Sequence, residues 1–197
     1  MTLMLLLAAA YLLGSIPFAM VSSRLFGLDD PRKYGSGNPG ATNVLRSGHK
    51  PAAIVTLLGD CSKGWFAVWA ANAMGFEPGQ AALAGLAAFI GHVASVFLRF
   101  KGGKGVATAL GVIAGISGTI ALIALATWFA VAWATRYSSA AALGATAAAP
   151  IAGFLLIDDK LVIGVLMMMA ATLVWRHAGN IKKLQNGTES RIGTKKS

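Results

Sequence analysis

The densest chemistry in the chain is Arg99-Phe100-Lys101-Gly102-Gly103-Lys104-Gly105-Val106-Ala107-Thr108, where three cations and three glycines fall within seven residues of an otherwise apolar region. Glycine lets backbone N–H groups approach a ligand closely and accepts positive φ. Lysine adds a point charge that suits phosphate. The apolar run from Val106 reads as a helix whose unbonded N–H groups point back into this loop, a favourable place for an anion. Gly102, Gly103, Gly105, Lys101 and Lys104 are the candidates here, with Lys104 the functional cation. Arg99 is a helix-end anchor at head groups. The loop is not a Walker A motif, because no Ser or Thr follows the lysine and the spaced leading glycine is missing.

The second dense stretch is Gly35-Ser36-Gly37-Asn38-Pro39-Gly40-Ala41-Thr42-Asn43-Val44-Leu45-Arg46. It contains G-x-G-x-x-G, but no strand or βαβ unit flanks it, so dinucleotide binding fails on context. A plain connector would not need this set of groups. Ser36, Asn38, Thr42, Asn43 and Arg46, with Gly35 and Gly37, form a donor set matched to a phosphate and a polyol. The third stretch, Arg176-His177-Ala178-Gly179-Asn180, places His177 and Asn180 three apart, on one face of a helix. Asp60 and Lys63, also three apart, read as an ion pair inside a span, and His92 as a hydrogen-bonding partner for another span. Cys61 has no evident base beside it and is not a nucleophile candidate.

These groups need a frame, and composition states which kind. Of 197 residues, 56% are hydrophobic and 12% charged, with mean hydropathy +0.66. Soluble domains carry about twice that charged fraction. The expected fold class is an all-α polytopic membrane protein, with residues 1–197 as a single integral-membrane domain and residues 176–197 as a basic cytoplasmic tail. The formal net charge of +10 reads as positive-inside topology and attraction to anionic ligands, not as nucleic-acid binding, because the bases are not interleaved with aromatics on a polar surface. One cysteine allows no internal disulfide. No carboxylate, His or Cys cluster has metal-ligand spacing.

The expected spans are Leu3–Val21 (kinked at Pro17), Ala52–Met74, Gln80–Leu98, two helices within 106–135 broken at Ser117-Gly118-Thr119, Ser138–Ile157, and Leu161–Trp175. As one helix, 106–135 would be about 45 Å long, against a hydrocarbon core of about 30 Å. About seven spans, with the N-terminus outside and the C-terminus cytoplasmic, leave only Lys160 of the 17 Lys and Arg on the outer side. With six spans, Arg136 or the tail's bases (Arg176, Lys182, Lys183, Arg191, Lys195, Lys196) would have to cross.

Taken together, Gly14-Ser15-Ile16-Pro17, the run from Gly35 to Arg46, the run from Phe100 to Thr108, and Arg176-His177…Asn180-Ile181…Leu184 with Gly187…Glu189 resemble, in order and over nearly the whole length, the bacterial acyl-phosphate-dependent glycerol-3-phosphate acyltransferases, the PlsY family. One departure is visible: Val93-Ala94-Ser95-Val96 lacks the proline that the family usually shows after Gly91-His92. The resemblance implies transfer of a fatty acyl group from acyl phosphate to the 1-hydroxyl of sn-glycerol 3-phosphate. The products would be lysophosphatidic acid and phosphate, in the first acylation step of phospholipid synthesis. It implies no cofactor and no metal. It implies a site at the cytoplasmic face of the bacterial inner membrane, with Ser36, Asn38, Arg46, Lys104, His177 and Asn180 as catalytic residues. The implied partners are acyl phosphate, glycerol 3-phosphate, the lipid bilayer and a soluble acyl-phosphate-forming acyltransferase of PlsX type. The competing reading from the residues alone is a transporter of phosphate or an organic phosphate. Transport calls for polar groups near the bilayer midplane, whereas the polar clusters here sit at span ends.

Overall fold

The computed structural model describes residues 2–193, which leaves Lys195 and Lys196 of the tail outside the described residues. Among those described, the regular elements are helices without strands. They are α1 (Leu3–Ser15), α2 (Phe18–Leu25), α3 (Ala41–Leu45), α4 (Lys50–Ala73), α5 (Pro78–Val93), α6 (Val106–Ile116), α7 (Gly118–Thr135), α8 (Ser138–Leu156), α9 (Lys160–Arg176) and α10 (Ala178–Gln185), with one 3-10 turn at Val96–Leu98. The all-helical membrane fold expected from composition is therefore present.

The breaks have local causes. Pro17 has no N–H to continue the ladder, and α1 and α2 meet there at 40°. The first span is thus two helices, longer at its polar end than Leu3–Val21. The stretch 106–135 is likewise two helices, because Ser117 is extended (φ −156°) and turns its side chain to accept from the Ile120 N–H. α5 stops at Val93 without a proline. Its end is fixed by tertiary bonds instead: Tyr11 Oη donates to the Ala94 carbonyl at 2.8 Å, and Ser95 Oγ donates to the Ser15 carbonyl at 2.6 Å.

Lipid offers no hydrophobic drive between helices, so close packing must hold them, and small residues allow it. The buried core is rich in alanine: Ala67, Ala71, Ala81, Ala82, Ala84 and Ala88. At crossings even a methyl group is too large. A Cβ on Gly14 would overlap the Ala88 carbonyl, one on Gly64 the Thr108 carbonyl, and one on Gly111 the Cys61 carbonyl. Gly111 and Gly115 thus both serve close packing, with α4 as their partner. On the outside, Leu122, Phe129, Trp133, Phe154 and Leu155 are exposed, as a surface facing acyl chains requires.

Gly111→Val should destabilise the fold by about 1–3 kcal/mol through overpacking against α4. Gly164→Ala, where nothing lies within 4 Å of an added Cβ, should not. Thermal unfolding of the two variants in the same detergent checks this.

Candidate active site

The central loop is seated on the end of α5. The Gly102 N–H donates to the Val93 carbonyl and the Gly103 N–H to the His92 carbonyl, both at 3.1 Å. These carbonyls belong to the last turn of a helix, which has no partners of its own for them. A Cβ on Gly102 would overlap the His92 carbonyl oxygen, so only glycine fits. This corrects one expectation: the N–H groups of Gly102 and Gly103 are spent on α5 and cannot cradle an anion. That task passes to the next residues. Gly105 (φ 93°) caps α6, and the N–H groups of Val106, Ala107 and Thr108 stand free at the helix N-terminus.

Lys104 rises from this seat, half-buried. Its ammonium donates to Asn180 Oδ1. Asn180 Nδ2 donates in turn to Glu189 Oε1 at 2.7 Å, and Ser139 Oγ donates to the same oxygen at 2.9 Å. Burial pulls the Lys104 pKa down to about 8; Glu189 opposes the shift, while Arg46, Lys183 and Arg176 reinforce it. Arg176 also donates to the Gly102 carbonyl at 2.9 Å, tying the end of α9 to the loop.

His177 is the hinge between α9 and α10, which meet at 56°. It and Asn180 therefore do not share a face of one continuous helix, as their spacing suggested. Instead the His177 carbonyl accepts from the Asn180 and Ile181 N–H groups and starts α10. The His177 ring is buried, with Nδ1 2.8 Å from the Leu173 carbonyl. A carbonyl can only accept, so Nδ1 carries the proton and Nε2 is the acceptor. Burial pushes the pKa of this imidazole down, which keeps that lone pair free at neutral pH.

In the 35–46 loop, Asn43 is buried. Its amide donates to the Pro31 carbonyl at 2.6 Å and the Tyr34 carbonyl at 3.2 Å, and its Oδ1 accepts from the Ser36 N–H at 2.8 Å and Ser36 Oγ at 3.1 Å. Asn43 thus holds the loop and has no group left over for a ligand, a second correction. Gly35 (φ 60°) lies against Asn43 Oδ1 and the Arg46 side chain, and Gly37 also turns through positive φ (69°). Ser36 is exposed, and Asn38 makes no side-chain hydrogen bond among the described residues. Arg46 donates to Ser190 Oγ at 2.8 Å, and Thr42 Oγ1 lies 3.4 Å from Ser138 Oγ. Lys101 lies apart from the Lys104 chain, exposed, and lines a cavity of about 530 Å³ with Arg32, Phe97, Leu98 and Arg99.

The structure thus joins Arg46, Lys104, His177 and Asn180 in one cluster beside the Ser36–Asn43 loop. Sequence reading missed Glu189, Arg176, Ser139 and Ser190 as members. The only signal for Glu189 was its place in the Gly187…Glu189 pair. Among the described residues, no group of three or more His, Cys, Asp or Glu side chains could hold a metal ion.

A family profile described as glycerol-3-phosphate acyltransferase matches residues 4–187. A protein of that name from Aromatoleum aromaticum is 67% identical over 197 residues, all of both chains. One from Dechloromonas aromatica is 53% identical, over all of this chain and 99% of its own. The crystal structure of PlsY, an integral membrane glycerol 3-phosphate acyltransferase, in its glycerol 3-phosphate form is 38% identical with a TM-score of 0.92, covering 98% of this chain and 97% of that one. The lysophosphatidic acid form of PlsY gives 37% and 0.90 over the same shares.

An anion site that needs the Lys104 ammonium should weaken as pH rises through about 8, since the charged form is lost there. Glu189 favours that form, so Glu189→Gln should move the alkaline limb to lower pH. Profiles of kcat/KM against pH for both proteins check the sign.

Proposed function

We propose, from the premise that this chain belongs to the glycerol-3-phosphate acyltransferase family, that its acyl donor is acyl phosphate and its product lysophosphatidic acid. The chain is an integral membrane acyltransferase. The observation that carries the finer reading is the Lys104–Asn180–Glu189 chain, seated at the free N-terminus of α6 and flanked by Arg46 and Arg176. It supplies several positive groups for two phosphates and has no acyl-enzyme nucleophile within it.

An acyl phosphate needs none, because phosphate is a good leaving group. In this reading Lys104 and the N–H groups of the first turn of α6 hold the acyl-phosphate phosphoryl group. There they stabilise the charge that grows as it leaves. Gly105 gives the turn its shape. Gly102 and Gly103 act one step back, by seating the loop. Arg46 and Ser36 hold the phosphate of glycerol 3-phosphate, with Gly35 and Gly37 shaping the loop, Asn43 locking it, and Thr42 at its rim. Lys101 draws anionic substrate to the membrane face.

The 1-hydroxyl oxygen then attacks the acyl carbon. The new C–O ester bond forms, the acyl C–O bond to phosphate breaks, and phosphate departs with that bond's electron pair. The hydroxyl proton passes to a phosphate oxygen or to His177 Nε2, which is free to accept it. Asn38 and Asn180 orient the hydroxyl and the carbonyl. That PlsY, at 38% and 37% identity, is described in glycerol 3-phosphate and lysophosphatidic acid forms supports this assignment of acceptor and product.

Contacts among the polar stretches support seven spans. Arg46 meets Ser190, Lys104 meets Asn180, and the Ile192 N–H meets the Arg136 carbonyl at 2.7 Å. We read the loop before α4, the central loop, the α7–α8 corner and the segment around Glu189 as lying on one side of the membrane. In this reading each pair of helices between them crosses twice, and the α1–α2 span crosses once. Positive-inside bias makes the shared side cytoplasmic, at the bacterial inner membrane. There a soluble acyl-phosphate-forming acyltransferase of PlsX type can deliver the donor.

Purified protein in lipid, given acyl phosphate and labelled glycerol 3-phosphate, should form lysophosphatidic acid and phosphate with no other protein present. No product would sink the reading. Lys104→Met should lower kcat/KM by about 100- to 1,000-fold, the loss typical of removing a preorganised charge donor. Near-normal kcat in His177→Gln would exclude His177 as the base.

A further inference from the structure

We infer that Asp60, Lys63 and His92 form a buried positioning centre that fixes the central loop, and through it Lys104, without touching substrate; the inference rests on reading that loop as the phosphate site. The side chains of Asp60 and Lys63 are 3% and 1% exposed, with Lys63 Nζ 2.8 Å from Asp60 Oδ1. The same ammonium donates to the Ile16 carbonyl at 2.8 Å, a group left free where Pro17 breaks the first span. His92 Nδ1 lies 3.3 Å from Asp60 Oδ1. The centre therefore ties α4 to the α1–α2 break and to α5.

His92 transmits this to the loop in two ways. Its carbonyl accepts the Gly103 N–H, and its ring edge, at Nε2, lies where a Cβ on Gly103 would fall. A gap of about 10 Å³ beside it is bordered by Ser15, Pro17, Pro39, Lys63, His92 and Gly103. The α1–α2 break, the 35–46 loop and the central loop thus converge on this centre.

A buried ion pair is a poor means of merely holding helices together. Apolar residues of the same volume often do as well or better. What they lack is direction. Lys63 fixes Asp60, Asp60 fixes the His92 ring, and the ring sets how far Gly103 can approach α5. Lys104 is the next residue along.

The test uses full-length purified enzyme, with kcat, KM and thermal midpoint measured for each variant. Gly103→Ala places a methyl group against the His92 ring and should lower kcat/KM at least 100-fold. Adding His92→Ala removes the ring, so the double variant should be at least tenfold more active than the product of the two single losses. Gly102→Ala, whose methyl meets the His92 backbone carbonyl, should gain nothing from His92→Ala. The charge-free pair Asp60→Asn with Lys63→Met leaves no unpaired charge. It should keep its thermal midpoint yet lose at least tenfold in kcat/KM.

Absence of coupling between His92→Ala and Gly103→Ala, or wild-type kcat/KM in the charge-free pair, overturns the proposal. Should the charge-free pair fail to fold, the His92–Gly103 cycle decides alone. Failure of the functional reading looks different: the unaltered enzyme would itself make no product.

Discussion

Two backbone hydrogen bonds carry the site. A helix that ends inside a membrane protein leaves carbonyls that neither its own ladder nor water satisfies, and an unsatisfied group there is costly. α5 solves this with the Gly102 and Gly103 N–H groups, which fill His92 and Val93. Glycine suits both positions, because a Cβ on Gly102 would overlap the His92 carbonyl and one on Gly103 the His92 ring. Once the loop is seated, the position of Lys104 and the direction in which α6 presents its free N–H groups follow.

Around that seat the polar groups form a chain of dependence. Lys104 leans on Asn180, Asn180 on Glu189, and Glu189 on Ser139, so Glu189, beyond α10, belongs to the same network. Arg176 closes the circle by bonding the Gly102 carbonyl. Burial depresses the Lys104 pKa, and the neighbouring cations Arg46, Lys183 and Arg176 add to the shift. A strongly perturbed lysine among like charges in a recess is the pattern of a functional site rather than of a stabilising one.

Much of the membrane frame was legible in order. Apolar runs gave the helices, and the length of 106–135 demanded a break that Ser117 supplies. Asp60 and Lys63 pair as their spacing suggested. Other features were hidden. Missing proline did not leave the end of α5 undefined, because Tyr11 and Ser95 bonds to distant backbone do the same work. Asn43 looked like a ligand group because an exposed amide and one spent on the Pro31 and Tyr34 carbonyls have the same sequence.

The sequence by itself determined the solvent of this protein and the chemistry of its polar stretches. Hydropathy, helix length and the types of side chain are local properties that need no neighbours to be read. Only the tertiary structure decided which of those groups are spent and which are free. That Gly102 and Gly103 donate to α5, that His177 is a hinge, and that Glu189 completes the Lys104 chain are matters of which distant atoms come within hydrogen-bond reach. A hydrogen bond satisfied by a partner 76 residues away, as between Lys104 and Asn180, leaves no trace in the spacing of either.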